Sequence, residues 1–146
     1  MKWKSIATDG QGGTFVVPAN EGVGSAVSVP TSSTDLVAKD SGKTVYLDAA
    51  EGFDISLPAL AAGLKYKFVV ALAFATTDFT IAASTNVIQG GAIVNSVYVP
   101  AVNENTISFV ATAETVGDYV EVECDGTNWY VNGVGALAGS ITFTAP

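Results

Sequence analysis

From Lys43 onward apolar and polar residues alternate in short runs, and the runs recur about every 8 to 12 residues, the spacing of strands in a sandwich or barrel. Thr44–Asp48 turns Val45 and Leu47 to one face. Phe53–Leu57 does the same with Phe53, Ile55 and Leu57, and Pro58 ends it. Pro58–Gly63 has room for one helical turn at most. Leu64–Phe74 is the longest alternating stretch: Leu64, Tyr66, Phe68, Val70, Leu72 and Phe74 share a face. The other face starts with Lys65 and Lys67 and ends with Val69, Ala71 and Ala73, which predicts a central strand, wet at its start and covered at its end. Shorter strands are predicted at Phe79–Ala82, Asn86–Gln89, Ala92–Val99, Asn105–Ala111 and Ser140–Thr144. No helical period extends over ten residues.

The clearest element runs from Gly117 to Gly133. Val120, Val122 and Cys124 alternate with Tyr119, Glu121 and Glu123, and Asn128 to Asn132 returns after Asp125-Gly126. Asp-Gly favours a two-residue type I′ turn, because both of its central positions need positive φ. That turn sets Val122 opposite Trp129 and Val120 opposite Val131. A four-residue loop shifts these pairs but keeps the same faces inward. A three-residue loop is disfavoured because a one-residue slip exposes the apolar set.

Residues 1–42 read differently. Gly10, Gly12, Gly13, Gly22 and Gly24 interrupt regular structure, and Pro18 and Pro30 bar central-strand positions. Two apolar islands, Trp3–Ile6 and Phe15-Val16-Val17, have no place in a fully solvated segment. The expectation is all-β: an antiparallel β-sandwich or barrel over 43–146, preceded by an extended N-terminal arm, 1–42. The arm gains order by lying on its own domain or on a neighbour, with two ordinary strands joined by long loops as the plainer alternative. Lys2, Trp3, Lys4, Ile6, Phe15, Val16 and Val17 are its candidate partner contacts.

At 146 residues, 49% of them hydrophobic, the chain has enough for one real core and is not a disordered sequence. The longest apolar run, Phe68–Ala75, falls well short of the roughly 20 residues of a membrane-spanning helix. There is no His, and all six positive charges are Lys. The usual general base near neutral pH and the usual planar clamp for phosphate are therefore both missing. The net charge of −8 argues against nucleic acid, whose binding depends on neutralising phosphates. Cys124 is the lone cysteine, so no intrachain disulfide forms, and its place in the alternation makes it a small buried hydrophobe. Residues 1–13 show no apolar signal region, which predicts synthesis in a reducing cytoplasm.

The densest acidic group is Asp118, Glu121, Glu123 and Asp125. Its spacing matches no calcium loop, and Asp118 and Asp125 lie at opposite ends of the strand, so it reads as a solvated face. Asp48, Glu51 and Asp54 read as turn solvation. Trp129-Tyr130 raises a sugar-stacking platform, yet neighbours on a strand point to opposite faces, which sends Trp129 inward and leaves Tyr130 out near Tyr119. Gly10–Gly13 and Gly90-Gly91 read as turns or linkers, since neither is followed by a helix or a Lys at phosphate-loop spacing. No metal, cofactor or catalytic set is expected.

One ordered set of short motifs points further. It comprises Leu57-Pro58, Gly63-Leu64, Tyr66-Lys67-Phe68-Val69-Val70, Asn86-Val87-Ile88-Gln89-Gly90, Thr106-Ile107-Ser108-Phe109, Gly117-Asp118, Asp125-Gly126-Thr127-Asn128-Trp129-Tyr130-Val131, Gly133 and Gly139-Ser140-Ile141-Thr142. Over roughly Gly42 to Thr144 this order resembles virion structural proteins of tailed bacteriophages, marine ones especially, of the capsid decoration (cement) type. Similar hairpins also occur in tail-fibre modules. The resemblance implies a non-enzymatic protein, made in the host cytoplasm, that binds the major capsid protein on the outer virion surface as a homotrimer. A carbohydrate-binding or tail-fibre adhesion module is the alternative. The arm lies outside the resemblance.

Overall fold

The computed structural model describes the backbone of Ala7–Thr8 and Thr14–Phe15 and the whole of residues 27–146. Fourteen strands appear among the described residues: β1 (Ala7–Thr8), β2 (Thr14–Phe15), β3 (Val27–Ser28), β4 (Thr34–Asp35), β5 (Thr44–Leu47), β6 (Asp54–Ser56), β7 (Lys65–Val70), β8 (Phe79–Ala82), β9 (Ile88–Val94), β10 (Val97–Glu104), β11 (Thr106–Phe109), β12 (Tyr119–Cys124), β13 (Trp129–Gly135) and β14 (Ile141–Thr144). One 3₁₀ turn, Ala38–Asp40, accompanies them. Among the described residues, strands β1 and β2 pair with each other and with no other strand. The rest form a sandwich of a seven-stranded sheet, β10-β9-β13-β12-β7-β5-β3, and a five-stranded sheet, β14-β11-β8-β6-β4.

The expected all-β sandwich is what forms, but its sheets are mixed and not purely antiparallel. From β3 to β8 the chain crosses between the layers at every step, so β3, β5 and β7 lie parallel in one sheet and β4, β6 and β8 parallel in the other. Parallel neighbours need a long crossover. Here the crossover is a strand of the opposite sheet, and residue alternation alone carries no trace of that. The sandwich also begins earlier than the 42/43 boundary: β3 and β4 are its edge strands, and Leu36 is buried in its core.

The core follows the alternation closely. Val45, Leu47, Ile55, Phe68, Val70, Ile107 and Phe109 are fully enclosed. Trp129 packs against Tyr66 with ring centroids 5.9 Å apart, and Phe79 meets Phe53 and Phe74 edge-on at 4.7 and 4.8 Å. Cys124 is buried among them, as its place in the pattern predicts.

Four local expectations are corrected. The Leu64–Phe74 strand stops at Val70, and Leu72 is exposed in the loop that follows, although Phe74 returns to the core. Ala92–Val99 is not one strand. It folds over Asn95-Ser96, whose φ values of 50° and 65° make the two-residue hairpin joining β9 to β10. Gly90-Gly91 is no linker but lies within β9, which absorbs most of the predicted Asn86–Gln89 strand's end. Lastly, the β12–β13 connection is a four-residue loop, Asp125–Asn128. Cys124 faces Trp129 and Val122 faces Val131, two residues from the two-residue pairing. The cause is Asp125: its Oδ1 accepts the N–H groups of Thr127 and Asn128 at 2.7 and 2.8 Å, which a type I′ turn does not bring within reach.

Candidate docking surface

The outer face of the seven-stranded sheet carries an ordered group of apolar residues, most of them exposed. Register partners across six strands place Tyr46, Val69, Tyr119, Val134, Ile93 and Tyr98 in one row. Five inter-strand steps of about 4.8 Å make it about 24 Å long. Tyr46, Ile93, Val134 and Tyr98 are exposed and Tyr119 and Val69 half-buried. Isolated exposed apolar residues need no explanation, whereas a continuous row of six does. Alternation predicted outward Tyr119, but only the register of six strands lines it up with the others.

The row next to it is polar: Thr44, Lys67, Glu121 and Asn132. Lys67 pairs with Glu121 at 3.6 Å and lies 4.6 Å from the Tyr119 ring centre. The third row brings Lys65, Glu123 and Tyr130 together. Between these rows and Gly42-Lys43 lies an open hollow of about 230 Å³ on the same face. Its walls mix Lys43, Lys65 and Lys67 with Glu121 and Glu123, so its charges are already partly matched. Lys43 itself is held by Asp40 at 2.8 Å, and that lysine and the Val37 N–H keep the Asp40 carboxyl below the ordinary carboxylate range.

The edge of the sheet is built around glycine. The Tyr98 ring lies across Gly91 and its hydroxyl donates to the Gly90 carbonyl at 2.7 Å. A Cβ at Gly91 would sit 2.7 Å from the ring, and one at Gly90 would strike the Val131 backbone of β13. Pro100, exposed in this edge strand, occupies the sort of position where a missing N–H costs no ladder bond.

The acidic group of the sequence is split. Glu121 and Glu123 do lie on the outer face. Asp118, in contrast, is buried and structural, taking N–H bonds from Thr115 and Ala136, both at 2.9 Å. Glu114 is buried too, with Oε1 accepting the Phe74 N–H at 2.9 Å. The solvated-face reading is therefore wrong for Asp118, and Glu114 was not singled out by sequence, because only the folded loops present the N–H groups they bind. Glu51 takes the hydroxyls of Thr76 and Thr77, and Asp54 that of Thr80 at 2.5 Å, as turn-ordering contacts. Among the described residues no three His, Cys, Asp or Glu side chains come together in a way that would hold a metal ion.

Trp129 is buried and Tyr130 exposed, as the strand period requires, so a flat Trp platform is not present on this face. Of the candidate arm contacts, Lys2, Trp3, Lys4, Ile6, Val16 and Val17 lie outside the described residues. Phe15 is placed by its backbone alone, opposite Ala7 in the β1–β2 ribbon. No protein-family model matches this chain, and no curated protein matches it.

Proposed function

We propose that this protein is a non-enzymatic virion structural protein, a capsid decoration (cement) protein that binds the major capsid protein on the outer capsid surface as an oligomer and stabilises the shell. The resemblance implies a trimer. The observation that carries the reading is the six-residue apolar row on an outer sheet face, a surface suited to covering by protein. A protein that works by fitted surfaces needs no reacting group, and the outer-face lysines and glutamates serve here as solubility and pairing elements. The arm residues Lys2, Trp3, Lys4, Ile6, Phe15, Val16 and Val17 are proposed to reach the capsid or a neighbouring protomer.

The test is co-sedimentation of the full chain with capsids, beside a chain lacking residues 1–20. The full chain is expected to saturate the particles, and the shortened chain to fold but not bind. Saturation by the shortened chain would refute the arm's role. Failure of the full chain to co-sediment would refute decoration and favour the adhesion alternative, which Tyr119 and Tyr130 would then have to serve without Trp129.

A further inference from the structure

We propose that the outer face of the seven-stranded sheet is covered by a second copy of this chain, related by a twofold axis that runs between β7 and β12 parallel to the strands. Such a contact is isologous, so the face has to complement itself. The rotation lays β7 on the partner's β12 and β5 on the partner's β13 without changing the row. In the apolar row Val69 then meets a Tyr119 and Tyr46 meets a Val134. In the polar row Lys67 meets a Glu121 and Thr44 meets an Asn132. In the third row Lys65 meets a Glu123, and the exposed Tyr130 falls on the hollow at Gly42. Three rows match at once.

Charge also selects this axis among its neighbours. An axis along β12 would set Glu121 and Glu123 on their own copies, and one along β7 would do the same to Lys65 and Lys67. A twofold perpendicular to the strands keeps each strand over itself and fails for the same reason. Of these arrangements, the axis between the two strands is the one that brings Lys65 and Lys67 to glutamates, and like charges set face to face disfavour the others. Lys65 and Glu123 are register partners that form no ion pair with each other among the described residues, which leaves both for the second copy. Facing sheets pack about 10 Å apart, close enough for these side chains to interdigitate.

This pairing draws on the same apolar row as the capsid reading but is tested apart from it, by the mass of the protein in the absence of capsids. A twofold contact closes at two copies, and if threefold assemblies also form it joins them in pairs. The full chain is therefore expected to weigh two chains, or six, by light scattering or sedimentation. One chain, with the face covered by the molecule's own arm or by solvent, would overturn the proposal, and so would three. Two double variants sharpen the test: Lys65→Glu with Lys67→Glu, and Glu121→Lys with Glu123→Lys. All four side chains are on the solvent side of the sheet, and unchanged circular dichroism checks the fold. Each variant alone is expected to self-associate about 100-fold more weakly, because every facing pair becomes like-charged. An equimolar mixture of the two is expected to recover the two-chain mass as a heterodimer. Variants that still dimerise alone, or a mixture that stays dissociated, would overturn it. Tyr130→Ala is expected to weaken association without affecting the fold, and an unchanged affinity would remove the hollow from the contact.

Discussion

At the scale of single residues, Asp118 carries a buried carboxylate that two loops depend on. It ties the Thr115–Asp118 turn to the loop after β13 through two N–H bonds, and removing it orphans both donors. Asp118→Ala is expected to cost about 2–4 kcal/mol, read from the urea midpoint. Glu121→Ala, at an exposed ion pair, is expected to cost less than about 1 kcal/mol under the same measurement. Asp125 behaves differently from either. Its carboxylate accepts the Asn128 and Thr127 N–H groups, which hold its pKa below the ordinary value of 3.8. A carboxyl depressed in the folded state binds fewer protons there than in the unfolded chain at pH just below 3.8. Its contribution is therefore whole above that value and is lost as the pH falls through the folded-state pKa. Asp125→Asn is expected to flatten the acid limb of stability below about pH 4, and an acid limb identical to that of the parent would contradict this.

Elements show what alternation conveys and what it omits. The inward residues of β5, β6, β11 and β12 were legible because a half-buried strand writes its burial in every second residue. The ends of elements were less so. Leu72 continues the apolar period of β7 yet leaves the sheet, because the Leu72 N–H bonds the Leu47 carbonyl in place of a ladder partner. The β9–β10 turn was hidden because Asn95-Ser96 carries no glycine, and the glycines nearby serve the Tyr98 ring and the close β13 backbone instead. Gly90→Ala, at φ 112° and against β13, is expected to destabilise by at least about 1–3 kcal/mol, measurable as a lower urea midpoint. Strand β4 supplies the other test. Leu36 follows it into the core, so Leu36→Ala is expected to cost about 2–5 kcal/mol, whereas a residue in a solvated arm would cost almost nothing.

The whole molecule is ordered by the alternation of its chain between two layers. Only the β9–β10 and β12–β13 pairs within the seven-stranded sheet are local hairpins; the parallel pairs β3–β5 and β5–β7 close through a strand of the other sheet, and the parallel pair β9–β13 through β10, β11 and β12. Refolding is therefore expected in the millisecond-to-second range typical of non-local β folds, measured by stopped flow. If the β12–β13 hairpin forms early, Val122→Ala slows folding while Leu36→Ala mainly speeds unfolding. The reverse partition would place the nucleus at the edge strands. The row on the outer face belongs to this scale as well, since it exists only where six strands keep register.

By itself the sequence determined that the protein is all-β, which side chains of β5, β6, β11 and β12 enter the core, that Trp129 points in and Tyr130 out, and that Cys124 is buried. A period of two records which side of a strand is dry, and nothing more is needed for those statements. Tertiary structure alone decided which strands are neighbours, that many run parallel, that β3 and β4 belong to the sandwich, and that Asp118 is an interior group. It alone lined the apolar row beside lysines facing glutamates. The physical reason is the same in each case: pairing and register join residues far apart along the chain, and a local pattern holds no record of which distant strand it will meet.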